Sequence, residues 1–289
     1  MIFKEMKINN IKLKNRIVVS PMCQYSAEKG SPSEWHYHHL RNLIETGAGS
    51  LVVESTAISK EGRITVKDLC MYNKTHMQNH AKLIKKLKKV NDIPIIIQLS
   101  HSGRKGSAEI PFFKKNKPLT NNLKWQTYAP SAIKRDISWP IPKKLTKKKI
   151  NKIIEEFKYS AKLSFKAGYD GIEIHMAHGY LIHQFCSPIS NKREDEFGLG
   201  NSEYKFPVES LESIKKITPR NKIIGARITG SDHLSKGIKI SDSIDLVKKL
   251  KKLGLNYICV SSGGIIPLTK MKFYTGYRIK MAAKNKKKM

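Results

Sequence analysis

Six short apolar runs recur along this chain, each but the last followed by an amphipathic stretch, and that alternation limits its fold more than any other feature. The runs are Ile17–Ser20, Leu51–Glu54, Pro94–Leu99, Gly171–Ile174, Ile223–Ile228 and Tyr257–Val260. Each is too short for a helix and reads as a buried strand. Helical spacing marks the segments around Trp35–Thr46, His76–Val90, Lys147–Ala167, Val208–Ile217 and Ser241–Leu253. Thr146 and Ser241 suit helix N-caps, and Gly168 and Gly254 suit helix ends. Strand–helix alternation with short connections predicts an α/β fold, a parallel sheet with helices outside it. The opening Lys4–Leu13 alternates polar and apolar residues, as a small hairpin does. One connection is long: Gly103 to Lys144 holds Pro111, Pro118, Pro130, Pro140 and Pro142, two tryptophans and no helical period. A loop of that length inside a compact domain is usually functional. It follows the third strand, so it is expected over the carboxyl-end face of the sheet.

At 289 residues the chain suits one domain spanning 1–289. No apolar run reaches the roughly 18 residues of a membrane span, and Met1-Ile-Phe-Lys-Glu5 lacks the pattern of a secretory signal. Cys23, Cys70, Cys186 and Cys259 form no Cys-x-x-Cys pair, which argues against a disulfide framework and fits a reducing cytoplasm. The formal net charge of +32 invites a nucleic-acid reading. Of the 55 basic residues, however, 46 are Lys and nine are Arg, scattered in runs such as Lys147-Lys148-Lys149. Specific readers favour Arg forks and interleaved aromatics, so no specific nucleic-acid partner is expected. The oligomeric state, a homo-oligomer included, stays open.

The stretch His175-Met-Ala-His178-Gly-Tyr180 runs out of the fourth strand into a loop. In parallel α/β folds that strand end is where side chains are aimed at a ligand. Two imidazoles and a phenol so spaced offer neutral donors and a proton source around one polar atom. Other strand ends carry Ser20-Pro21-Met22-Cys23-Gln24-Tyr25, Ser55-Thr-Ala57, Gln98 with His101-Ser-Gly-Arg104-Lys105, and Arg227. Taken in this order, these motifs resemble the Old Yellow Enzyme family of FMN-dependent ene-reductases, in its thermophilic-like bacterial branch. Gly62-Arg63-Ile64, Ala129-Pro130-Ser131 and Leu181-Ile182-His183-Gln184-Phe185 before Ser187-Pro188-Ile189-Ser190-Asn191 add to the match, which extends to about Tyr277.

The resemblance implies a TIM (β/α)8-type barrel with FMN at its carboxyl-end mouth and NADPH or NADH as hydride donor. Ser20, Pro21, Met22, Cys23 and Ser55 would line the isoalloxazine. Gln98 would bond its pyrimidine edge, and Arg227 would offset charge near N1 of the reduced ring. His175 and His178 would hold the carbonyl oxygen of a small enone-type substrate while hydride passes from flavin N5 to the β-carbon. Tyr180 would protonate the α-carbon, Tyr25 would add a second phenol, Cys23 would tune the flavin, and Lys105 would stand at the nicotinamide or substrate entrance. No metal is expected.

Two departures accompany the match. After Asp195-Glu196-Phe197-Gly198 the text runs Leu199-Gly200-Asn201-Ser202-Glu203-Tyr204, without the family's Asn-Arg. Six βα units are visible where the barrel has eight, a shortfall of ~60 residues at about 30 per unit. The family's phosphate-binding glycine turns lie in those last two units, so an apparently incomplete barrel with weak FMN binding, or an inactive remnant, is one alternative. A zinc-dependent barrel hydrolase using His175 and His178 is another, and zinc would need at least a third protein ligand.

Overall fold

The computed structural model describes residues 1–112, 117–120, 122–200, 204–267 and 274–288. In chain order the elements are β1 (Met6–Ile8), β2 (Ile11–Leu13), β3 (Val18–Val19), α1 (Glu34–Glu45), β4 (Ser50–Ala57), β5 (Leu69–Cys70), α2 (Lys74–Val90), β6 (Ile95–Ser100), β7 (Tyr128–Ala129), β8 (Lys143–Lys144), α3 (Lys147–Lys166), β9 (Gly171–Met176), α4 (Leu181–Cys186), α5 (Lys205–Lys215), β10 (Ile223–Thr229), α6 (Ile240–Lys252), β11 (Tyr257–Ser261) and α7 (Ile279–Lys288). All six expected strands form one parallel sheet in the order β11-β10-β9-β6-β4-β3, with β5 paired to the end of β4. The hairpin β1–β2 is antiparallel, as the alternating start predicts.

Period-two alternation sorts each strand between two environments. Ile95, Ile97, Leu99, Ile172, Ile174, Ile224, Ala226 and Ile228 face the helices and join the main core. The intervening residues face the concave side. Lowest there are Val52, Ile96 and Ile223, which pack with Ile8 and Ile11 of the hairpin. The hairpin thus plugs the amino-terminal end of the curled sheet, tied down by Asn9, whose amide donates to the carbonyls of Arg220 and Lys222 at 2.7 and 3.0 Å. On the outer side α3 buries the stripe Ile150, Ile153, Ile154, Phe157 and Ala161. Phe157 is fully buried, and its truncation to Ala would cost about 3–5 kcal/mol.

Helix ends follow the local chemistry with some departures. The Thr146 hydroxyl accepts from Lys149 N–H at 3.3 Å, as its N-cap assignment requires. Ser241 is not a cap: the helix starts one residue earlier, behind Lys239, whose N–H donates to the Asp242 carboxylate at 2.8 Å. A carboxylate two residues past the first helical position competes better for that amide than a hydroxyl inside the turn. The expected Val208–Ile217 helix begins at Lys205, because Pro207 sits in the first turn, where a missing N–H costs nothing. Two helices were not expected: α4, directly after Tyr180, and α7 near the chain end. In the long connection, β7 and β8 pair in parallel over two residues, and Ala108 and Trp139 pack with Ile64 against Cys23, Tyr25 and Tyr180. The connection therefore does lie over the strand-end face. Of the departure after Gly198, residues 201–203 lie outside the described residues.

Candidate active site

Strand register stacks the concave residues in rows. Above the apolar floor, Ser55, Gln98, Glu173, Gly225 and Tyr257 are level with one another across five strands. The Gln98 amide donates to Glu173 Oε1 at 2.7 Å, and the Tyr257 hydroxyl donates to Glu173 Oε2 at 3.0 Å. Gly225 makes that second bond feasible, since a Cβ there would run into the Tyr257 ring. Burial raises the Glu173 carboxyl above its ordinary range, against the pull of Gln98, Arg227 and Tyr257. One row higher, His175, Arg227 and Cys259 are level. Arg227 Nε is buried and meets no acceptor among the described residues. Leaving a charged donor so placed is costly, and the atom marks a place for an acceptor from outside the chain. Such a guanidinium fits the electron-rich edge of a flavin ring.

The highest level is the turn after β9. His178 and Gly179 both have left-handed backbone, with φ of 57° and 73°. The glycine is required, because a Cβ there would strike the Gly264 carbonyl from the loop after β11. The turn folds three rings together: His175 lies 5.1 Å from His178 and 4.8 Å from Tyr180 between ring centres, both near-perpendicular. His175 Nδ1 accepts from Ala177 N–H at 3.2 Å, which leaves its ring proton on Nε2. His178 Nε2 is 2.5 Å from Ser261 Oγ. Burial first, then surrounding positive charge from Arg227 and Lys105, holds both imidazoles well below their ordinary range, so both are neutral at pH 7. Neutral rings that cannot readily protonate act as fixed N–H donors.

Opposite this turn stands the segment after β3. Burial, then Glu54 and Asp68, raises the Cys23 thiol well above its ordinary range, so it is a thiol rather than a thiolate. Tyr25 is likewise held in the phenol form, chiefly by burial, and its ring meets Phe112 edge-on at 5.7 Å. Burial also raises Tyr180, with Cys23 and Asp68 adding to it, so the proton stays on its oxygen. Asp68 is itself pushed up to about 7 by burial, although Thr65 and the N–H groups of Ile64 and Thr65 pull it back.

The structure brings His175, His178 and Tyr180 together, with Tyr25 and Cys23 packed near Tyr180. Gln98, Ser55 and Arg227 line the rows beneath them. Ser20 and Met22 are exposed and Pro21 partly so, at the edge of the sheet. Lys105 is half-buried beside the turn. Its ammonium donates to the His178 carbonyl at 2.6 Å and sits 4.9 Å from the Tyr180 ring centre, and burial, with Arg135 and Arg104, lowers it to about 7. Sequence reasoning missed Glu173, Tyr257, Ser261 and Gln184. Glu173 had a signal, a carboxylate inside the apolar run Gly171–Ile174, but its partners come from distant strands. Among the described residues no three His, Cys, Asp or Glu side chains converge as metal ligands, so the histidine pair finds no third zinc ligand there. No helix among them is long and apolar enough to cross a membrane.

Comparison with known proteins agrees with the resemblance. The model of the NADH:flavin oxidoreductase / NADH oxidase family matches residues 1–289. An NADPH dehydrogenase of Clostridium acetobutylicum is 39% identical over 285 residues, covering 97% of this chain and 79% of the relative. An NADPH dehydrogenase of Bacillus subtilis is 36% identical over 287 residues, covering 98% and 79%. Among solved structures, morphinone reductase superposes with a TM-score of 0.80 at 20% identity, over 98% of this chain and 76% of that one. A 2-naphthoyl-CoA reductase complex superposes with a TM-score of 0.87 at 20% identity, over 99% and 44%. The fold is thus the α/β barrel type of these structures, here a curled parallel sheet of six strands and β5 among the described residues. This chain belongs to the NADH:flavin oxidoreductase / NADH oxidase family, the Old Yellow Enzyme group of FMN-dependent, nicotinamide-driven oxidoreductases.

Proposed function

We propose that the chain is an ene-reductase, saturating the C=C bond of α,β-unsaturated carbonyl compounds. FMN, when bound, would supply the hydride transfer from NADPH or NADH to the β-carbon of the substrate. The observation that carries the reading is the neutral pair His175 and His178 with Tyr180 beside it, next to Arg227, whose Nε meets no acceptor among the described residues. The imidazole N–H groups donate to the substrate carbonyl oxygen and stabilise the charge it gains as the β-carbon is reduced. Tyr180, held protonated, delivers its phenolic proton to the α-carbon. Tyr25 offers a second phenol near that oxygen. Arg227 and the Gln98 amide would hold the polar edge of the flavin ring, Ser20 to Met22 and Ser55 would offer it backbone groups, and Cys23 would meet it as a neutral thiol. Lys105 supports the substrate side by fixing the His178 carbonyl.

The test uses purified protein loaded with FMN under anaerobic conditions. Addition of NADPH or NADH should bleach the yellow colour, and 2-cyclohexenone should restore it with formation of cyclohexanone. Reoxidation by oxygen alone, with no turnover of the enone, would refute the ene-reductase reading. Protein that stays colourless in excess FMN is the outcome the inactive alternative predicts.

A further inference from the structure

The peptide unit between His178 and Gly179 is held at both ends. Its carbonyl accepts from Lys105 Nζ at 2.6 Å, and its N–H donates to His183 Nδ1 at 2.7 Å. Gln184 Nε2 also donates to the Gly179 carbonyl at 2.7 Å. Because Nδ1 of His183 accepts an amide proton, the ring proton belongs on Nε2. That nitrogen lies 2.8 Å from Asp232 Oδ1, with the N–H angled off the line between them, so the contact is a close charge–dipole approach rather than a linear hydrogen bond. Asp232 is fixed in turn: its Oδ2 accepts from Ser187 Oγ and from Ile238 N–H, each at 2.8 Å. His183 and Asp232 are both fully buried.

An anion beside Nε2 favours the tautomer that carries the proton there, and so keeps Nδ1 free to accept. Thr229 Oγ1 also lies 3.2 Å from Nδ1. With Nδ1 protonated, that hydroxyl can accept its proton, but the Gly179 N–H still loses its acceptor and faces an N–H, which favours a flip of the peptide. A flip rotates ψ of His178 and φ of Gly179 and takes the His178 carbonyl away from Lys105 Nζ, so the turn that carries His178 and, one residue beyond Gly179, Tyr180 loses its hold. We propose that His183, with its tautomer set by Asp232, is a positioning residue for the turn that carries His178 and Tyr180, a role that rests on the ene-reductase reading of those two residues. The pair acts across elements, joining the loop after β10 to the turn after β9 through the first turns of α4.

The FMN-loaded protein and five variants, one of them double, test this by separating the two half-reactions in stopped flow. His183→Leu removes the acceptor and should slow flavin reoxidation by 2-cyclohexenone by about 10- to 100-fold, with reduction by NADPH within about twofold. His183→Asn, which keeps an acceptor at the place of Nδ1, should restore reoxidation to within about threefold of the parent. Asp232→Asn should slow reoxidation in the parent but add nothing in the His183→Asn background, where no tautomer is left to set. Histidine 15N NMR gives a readout independent of turnover: His183 should show an unprotonated Nδ1 and a protonated Nε2, a pattern lost in Asp232→Asn. Tyr180→Phe separates the two levels of the claim. If it slows reoxidation while His183→Leu does not, the positioning role is wrong and the ene-reductase reading stands. If it leaves reoxidation unchanged, the reading falls and the positioning role with it. Should His183→Leu not fold, Asp232→Asn alone decides, and an unchanged tautomer and rate would overturn the proposal.

Discussion

The two segments that face each other across the concave side are built in opposite ways. The turn after β9 lies between two paired strands, and side chains of Lys105, His183 and Gln184 grip its backbone. The segment after β3 lies on a sheet edge that, among the described residues, pairs only with β4, and Val18 and Met22 are 41% and 48% exposed. Donors that must meet one developing charge tolerate little misplacement, since an error near 1 Å can cost about a hundredfold in rate. A flat ring laid against backbone asks less of its support. Rigidity is thus concentrated on the side we assign to substrate, and the side we assign to cofactor is left open.

The sharpest way to break that contrast is to remove the donors on the rigid side. Replacing both His175 and His178 with Ala should lower enone turnover by at least a hundredfold, given that one such donor is worth ~3 kcal/mol. Reduction of the flavin by the nicotinamide should stay within a few-fold, measured as single-turnover bleaching. Next in size is the turn itself. Gly179→Ala adds a methyl at a left-handed position against the Gly264 carbonyl, and should cost about 2–4 kcal/mol in urea unfolding.

Lys105 gives a pH signature. Its folded value near 7 lies below the ordinary 10.5, so the unfolded chain binds one more proton across that interval and stability rises with pH through it. The gain of the parent protein over Lys105→Met should therefore grow between about pH 7 and 10, read as the difference in Tm. A difference that is flat with pH would show that the ammonium is not desolvated in the fold. Smallest should be the effect at the open edge: Met22→Ala should change stability by no more than about 0.5 kcal/mol, and a larger loss would mean that this edge is more tightly packed than its exposure implies.

Strands were the most legible elements, because burial on both sides leaves an unbroken apolar run that short-range patterning reveals. All six expected runs overlap the strands β3, β4, β6, β9, β10 and β11, differing only at their ends. The histidine turn was legible as a motif, but what holds it was not. His183 reaches Gly179 through a helix that begins at Leu181, and Asp232 arrives from a loop that sequence order alone does not bring near. Gln98 illustrates the same limit. The motif suggests a ring-binding amide, while its tie to Glu173 spans 75 positions that the parallel register closes. Lys105 was one lysine among 46, and nothing local distinguishes a side chain that bends back onto a carbonyl 73 residues away.

On the ene-reductase reading, the turn after β9 carries the proton donor of an enone reduction. The most direct test is anaerobic stopped-flow reoxidation of the NADPH-reduced, FMN-loaded Tyr180→Phe protein by 2-cyclohexenone. The variant should bind FMN and accept electrons like the parent, while reoxidation slows by 10²–10⁴-fold, the range for loss of a positioned general acid. Reoxidation at the parent rate would contradict the assignment of Tyr180 and the functional reading built on this turn.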